Sequence, residues 1–177
     1  MRSTGEVLGL AENFPLAFYK AEEACGDELP HAPSAWENKK VLISLSDKEN
    51  QKEQVLEIGK TLVNLGFTLV GTQGTYDFYN THGIKCSLVN KIGGGRPDVI
   101  DMIMNKEVCL VINTPKAKRN YAEDRKTIRK ACLKYKVSYI TTLAAALAAV
   151  RGIEATKDGN RGVGGVRSLQ EWHALIK

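Results

Sequence analysis

The sequence predicts an α/β protein in three layers, a five-stranded parallel sheet with helices on both faces, preceded by a short separate segment. Two observations predict it. From Lys39 onward, short β-rich apolar runs alternate with helical stretches of about ten residues, the signature of repeated strand–helix units. Before that point lies Glu28–Asn38, with two prolines and no apolar period, which reads as a linker and divides the chain into residues 1–37 and 38–177. The apolar content of 43% and charged content of 25% are those of a globular chain with a real core.

Ahead of the linker, Asn13 and Pro15 form a helix start, and the helix continues through Leu16, Ala17, Phe18 and Ala21 to a stop at Gly26. One helix cannot bury its apolar side alone. It therefore lies against the rest of the chain or belongs to a larger body. The alternation that follows is Val41–Leu45 then Glu53–Leu65, Thr68–Gly71 then Tyr76–His82, Ser87–Asn90 then Pro97–Met104, Val108–Asn113 then Tyr121–Tyr135, and Tyr139–Ile140 then Leu143–Ala155. Runs of this kind predict a parallel sheet with both faces covered and all strand C-termini on one edge. Val41, Ile43, Leu69, Val89, Leu110 and Ile112 are core candidates. The run Leu143–Val150, small and apolar nearly all round, is expected to be buried. A Gly-rich stretch, Asp158–Gly165, leads to a last element, Val166–Ile176, in which Trp172 and His173 read as packing residues.

In open parallel sheets, ligands bind beyond the carboxyl ends of the strands. Those ends carry Ser44 with Ser46-Asp47-Lys48, Gly71-Thr72-Gln73-Gly74-Thr75, Asn90-Lys91 with Gly93-Gly94-Gly95-Arg96, Asn113-Thr114-Pro115-Lys116, and Thr141-Thr142. The set offers hydroxyls, amides and cations, and no Cys–His or Ser–His pair. In the second loop Gly74 permits a close fold, Thr72 and Thr75 supply hydroxyl donors, and the following helix offers free N–H groups to an anion. Alone, that loop is equally a turn with an N-cap. Lys91, Asn113 and Thr114 on the same edge favour phosphate binding, with Asn113 able to donate and accept toward a ribose or base. Arg96, behind three glycines, is a candidate gate residue able to reach a phosphate, whereas Pro97 and Asp98 read as a helix start. Asp98 and Asp101 are the carboxylates expected beside the crevice, and their three-residue spacing reads as surface charge.

The net charge of +5 is spread along the chain, and its densest stretch, Lys116–Lys136, also holds Glu123 and Asp124; no nucleic-acid partner is expected. Cys25, Cys86, Cys109 and Cys132 lack CxxC spacing and read as free thiols of a reducing cytoplasm, and His31, His82 and His173 make no metal pattern. No apolar run approaches the ~18–20 residues of a membrane span, so no membrane role is expected.

The same strand-end residues carry a family resemblance. Val41–Ser44, Leu65-Gly66-Phe67, Gly71–Thr75, Gly83-Ile84, Leu88–Lys91, Gly95-Arg96-Pro97, Val111–Pro115, Ile128–Ala131, Tyr139–Leu143 and Ser168–His173 resemble the methylglyoxal synthase-like domain, in the version that ends carbamoyl-phosphate synthase large chains. Met1–Val7 and Phe14–Phe18 resemble the last stretch of that subunit's second ATP-grasp half, which would make residues 1–37 a remnant of it. The resemblance implies a non-catalytic regulatory domain of an enzyme that makes carbamoyl phosphate from bicarbonate, glutamine-derived ammonia and two ATP, for arginine and pyrimidine synthesis. It implies UMP- or IMP-type nucleotide effectors, ornithine near the domain junction, ATP with Mg or Mn in the parent, a glutaminase small subunit as partner, and an oligomeric parent. Carried over by motif, the effector phosphate falls to Ser44, Thr72, Gly74, Thr75, Lys91 and a lysine of the first loop. That lysine is Lys48 or Lys52, with Lys52 favoured. Asn113 and Thr114 face the ribose or base, and Tyr139 and Thr141 match positions near the ornithine site. The chain departs from the family at Gly94, where the family often has Glu, and in lacking a Gly near Ala117. Methylglyoxal synthase itself is a rival on the same fold, but its Gly-Asp loop is replaced here by Gly-Arg-Pro. The purine cyclohydrolase domain is a second rival, although its Gly-Arg-Val-Lys-Thr-Leu stretch is missing; an oligomerisation module is a third.

Overall fold

A run of apolar residues that must hide both faces can do so only in the middle of a covered sheet. Strand β1 (Lys40–Leu45) is such a run: Val41, Ile43 and Leu45 point to one face, Leu42 to the other, and all are buried. The computed structural model describes residues 4–33, 39–46, 50–114, 122–157 and 167–175. In it β1 pairs in parallel with β2 (Thr68–Gly71) on one side and β4 (Val108–Thr114) on the other. Beyond them lie β3 (Cys86–Leu88) and β5 (Ser138–Ile140), giving a five-stranded parallel sheet of order β3-β2-β1-β4-β5.

The alternation of side chains sorts the core into two layers. Leu69, Leu110 and Ile112 join Val41 and Ile43 against α2 (Lys52–Asn64), α3 (Gln73–Thr81) and α6 (Leu143–Ala155). Val70, Val108 and Val111 join Leu42 against α4 (Val99–Met104) and α5 (Ala122–Tyr135). The expected core candidates are all buried, Val89 among them. The three-layer expectation therefore holds, and the last helix, α7 (Leu169–Ala174), is a short surface turn.

Several elements begin elsewhere than the sequence suggests. Helix α3 starts at Gln73 rather than Tyr76, so Gly74 and Thr75 lie in its first turn and not in a loop before it. Helix α4 starts at Val99, because Asp98 is its N-cap: the carboxylate accepts from the N–H groups of Ile100 and Asp101, and the Asp101 carboxylate accepts from the N–H of Asp98. Trp172 lies half-buried with the Arg167 guanidinium 5.0 Å above its ring, and His173 is exposed, so only Trp172 packs at all. Helix α6 buries Ala146, Ala149 and Val150 but leaves Ala144 exposed, so its burial is one-sided. The expected free thiols are found at Cys86 and Cys132, both buried, at half-buried Cys109 and at exposed Cys25.

The early helix α1 (Phe14–Ala24) lies against the rest of the chain. Asn13 caps it, accepting from the Leu16 N–H, and Leu16 and Tyr19 are buried against α6. The approach is close at Gly152, where a Cβ would stand 3.0 Å from the Pro15 carbonyl oxygen and 3.3 Å from Tyr19 Cβ. The described half of the linker is also docked. Leu29 is 5% exposed, its carbonyl accepts from the Tyr19 hydroxyl at 3.4 Å, and the Glu28 carbonyl accepts from the Ser138 hydroxyl. The remainder of the linker, Lys48, the stretch after Thr114 up to Tyr121, the Gly-rich stretch and Ile176 lie outside the described residues.

Because α1 is seated by the absence of a side chain at Gly152, Gly152→Val is expected to force the two helices apart. A urea unfolding curve followed by circular dichroism should lose about 1–3 kcal/mol, the usual cost of overpacking, with earlier trypsin cleavage at Lys39. Unchanged stability and cleavage would show that α1 does not depend on this contact.

Candidate functional site

In this strand order the chain leaves β1 toward β2 and returns beyond it to β4, so the connections at the C-terminal ends of β1 and β4 diverge and leave a crevice between them. A cavity of about 280 Å³ opens there. Its walls hold Ser44 and Ser46 from the end of β1, Thr72, Gly74 and Thr75 from the β2–α3 junction, Lys91 from beyond β3, and Asn113 and Thr114 from β4. Its apolar floor is Leu42, Val99, Val111 and Ile128, and the first turn of α5 adds Asp124 and Arg125. The size falls just under the ~300–1,000 Å³ of ordinary small-molecule sites.

The β2–α3 junction determines what this cavity can hold. Thr72 is the N-cap of α3, in extended backbone, and its carbonyl accepts from the N–H groups of Thr75 and Tyr76. Its hydroxyl does not cap the helix; it lies 3.2 Å from the Ser44 hydroxyl instead. The first-turn N–H groups at Gln73 and Gly74 thus have no side-chain cap, and this end of the helix carries the positive pole of its dipole. Thr75 is 1% exposed and its Oγ1 accepts from the Leu45 N–H at 3.0 Å, which spends an oxygen lone pair and leaves the hydroxyl proton to donate. Of the Ser44–Thr72 pair one hydroxyl donates to the other, and the second keeps a proton. Gly71 makes the turn possible: a Cβ there would sit 3.0 Å from Cys86 Sγ and 3.1 Å from the Tyr76 nitrogen.

The opposite wall is held by β4. Ser46 N–H donates to both the carbonyl and the hydroxyl oxygen of Thr114, at 3.1 and 3.4 Å, tying the ends of β1 and β4 together. Asn113 is 6% exposed, and its Nδ2 donates to the Tyr139 phenol oxygen at 3.3 Å. Beyond β3, Asn90 forms a bridge to Asp98, and the Gly94 N–H donates to the Lys91 carbonyl, folding back the loop from which Lys91 borders the cavity.

Seven of the residues singled out from the sequence meet in this cavity: Ser44, Thr72, Gly74, Thr75, Lys91, Asn113 and Thr114. Four stand outside its lining. Lys52 is exposed at the first position of α2. Arg96 is 85% exposed and paired with Asp101 at 3.3 Å. Thr141 is exposed ahead of the Thr142 cap of α6, and Tyr139 reaches the site through Asn113. The carboxylates expected beside the crevice, Asp98 and Asp101, are occupied in the α4 cap, and Asp124 lines the cavity in their place. Ser46, expected at the end of β1, also joins the lining, whereas Asp124 and Arg125 are the polar residues that sequence reasoning missed. Glu123-Asp124-Arg125 reads in isolation as the solvated first turn of a helix, and only the packing of α5 beside β4 and β5 brings it to the crevice.

Among the described residues no group of His, Cys, Asp and Glu is arranged to hold a metal ion, and no helix is long and apolar enough to cross a membrane.

Comparison with known proteins agrees with the architecture. Residues 54–141 match the family described as MGS-like domain. The carbamoyl phosphate synthase large chain, C-terminal section, of Aquifex aeolicus is 42% identical over 174 residues, which is 97% of this chain and 30% of that protein. The carbamoyl phosphate synthase large chains of Archaeoglobus fulgidus and Xanthomonas campestris are 43% and 40% identical, over 98% and 100% of this chain. The chain spans only 15% of the length of each of these two. A three-layer parallel sheet, an anion-suited crevice at its switch point and these similarities all agree: the chain belongs to the MGS-like domain family and is a relative of the carbamoyl phosphate synthase large chains.

Proposed function

We propose that residues 38–177 are a nucleotide-effector-binding regulatory domain of a carbamoyl phosphate synthase large chain, non-catalytic in themselves, and that residues 1–37 are the end of the preceding ATP-grasp domain. The observation that carries this reading is the convergence of the Thr72, Thr75 and Ser44 hydroxyls, the uncapped first turn of α3 and Lys91 on one cavity. Those groups suit the phosphate of a nucleoside monophosphate of the UMP or IMP kind. The apolar floor suits a flat base, and Asn113, Thr114 and Asp124 suit the ribose and base edges. Lys52 and Arg96, on elements bordering the crevice, reach the ligand only if they move toward it. In the parent ligase, which makes carbamoyl phosphate with ATP and a divalent metal in its other domains and glutamine-derived ammonia from a small subunit, the effector shifts an equilibrium between arrangements. It does so by no more than its difference in affinity for them. Ornithine, near Tyr139 and Thr141, would act on the same equilibrium.

A thermal melt tests the site. At about 100 times its Kd a ligand stabilises the fold by ~2.7 kcal/mol, several degrees for a domain of this size. UMP or IMP is expected to raise the Tm of the wild-type chain by that amount. Lys91→Ala should weaken binding roughly 10–100-fold, as the loss of one charge-assisted hydrogen bond does. An unchanged shift in that variant would remove Lys91 from the site.

Asp124 favours one other reading, since a carboxylate on the cavity wall is what a phosphate-eliminating lyase of the methylglyoxal synthase kind needs as its base. A colourimetric assay for methylglyoxal from dihydroxyacetone phosphate separates the two. No turnover above a buffer control is expected; steady turnover abolished by Asp124→Asn would overturn the regulatory reading.

A further inference from the structure

Asn113 can show a ligand either of two faces, a carbonyl that accepts or an amine that donates, and the structure gives the amine another task. Its Nδ2 donates to the phenol oxygen of Tyr139, which stands beside it on the next strand, where Val111 pairs with Tyr139. The carbonyl end is thereby turned the other way. Asn113 Oδ1 accepts no hydrogen bond from the described residues, yet among them no buried side-chain nitrogen or oxygen lacks a partner. That oxygen must then reach open space, and the space this 6%-exposed residue borders is the cavity. Tyr139 itself does not line the cavity. Burial raises its phenol above the ordinary value, so at neutral pH it is uncharged and its oxygen keeps its role beside Asn113.

We propose that Tyr139 is a positioning residue that holds the Asn113 side-chain amide at the cavity wall, so that the site selects a nucleoside moiety bearing hydroxyl or N–H groups over a bare phosphate. This rests on the cavity being the phosphate-binding site described above. The phosphate end, built from Thr72, Thr75, Gly74 and Lys91, lies on the β2 and β3 side and owes nothing to Tyr139. The nucleoside end depends on it. Without the phenol oxygen the Asn113 amide loses the hydrogen bond that anchors it, and it is free to rotate away from the ligand.

Isothermal titration of the full chain with inorganic phosphate and with UMP tests this, in the wild type, Tyr139→Phe, Asn113→Ala and the double variant. Phosphate affinity is expected to be the same within about twofold in all four. UMP affinity should fall roughly tenfold in each single variant, the scale of one lost hydrogen bond. The double variant should fall no further, since both changes remove one interaction. Ligand-free melts of each variant establish that it is folded. An unchanged ratio of UMP to phosphate affinity in Tyr139→Phe, or additive losses in the double variant, overturns the positioning role while leaving the phosphate site standing. Failure of the wild type to bind either ligand overturns the site and this proposal together.

Discussion

One hydrogen bond couples the sheet to the crevice. The N–H of Leu45, at the last residue of β1, has left the reach of β2, and it donates to the Thr75 hydroxyl oxygen instead. A buried backbone N–H without a partner would cost on the order of 1–3 kcal/mol, so this bond is demanded by the fold. Its consequence is chemical. The first turn of α3 is drawn against the end of β1, the Ser44 and Thr72 hydroxyls are brought within 3.2 Å of each other, and Thr75 is left with a proton to give. A structural necessity and the proposed anion site therefore share the same atoms, which is why changes at Thr75 would be felt in stability and in any binding there together.

The switch between β1 and β4 does the rest. Chain leaving β1 turns toward β2 and chain leaving β4 turns toward β5, so neither connection covers the gap. Ser46 closes its base by donating to Thr114, and α5 supplies a further wall. The far side of the sheet carries a different burden. There α6 is packed by α2 and by α1, whose cap and buried Leu16 and Tyr19 make the first residues part of the same body of packing as the sheet's outer layer.

Much of the sheet was legible because strand periodicity is local. Val41, Ile43, Leu69, Leu110 and Ile112 announce their own burial, and the polar residues that follow each run mark the edge where the cavity opens. What was not legible depends on partners distant in sequence. The sequence places the start of α3 at Tyr76 because Gly74 and the threonines argue locally for a turn; the bond from Leu45, distant in sequence, ties Thr75 into the first turn of the helix. Asp124 and Arg125 look like the first turn of a solvated helix, and only the docking of α5 through Ile128 and Cys132 turns that end to the cavity. Arg96 offered a guanidinium near glycines, but the Asp101 carboxylate, itself fixed by the α4 cap, is its nearer partner. The Pro-containing stretch that reads as a linker is in part held down, by the Tyr19 and Ser138 hydroxyls on its carbonyls, contacts that composition does not report.

In the proposed reading an anion lies at the N-terminus of α3, in the crevice between β1 and β4. Amide chemical shifts in a 15N-labelled chain titrated with phosphate at constant pH and ionic strength test it most directly. The largest changes are expected on Gln73, Gly74 and Thr75, with smaller ones at Ser44, Lys91 and Thr114, all saturating together with one Kd. Largest changes on α1 or α6, or a uniform drift that never saturates, would contradict it.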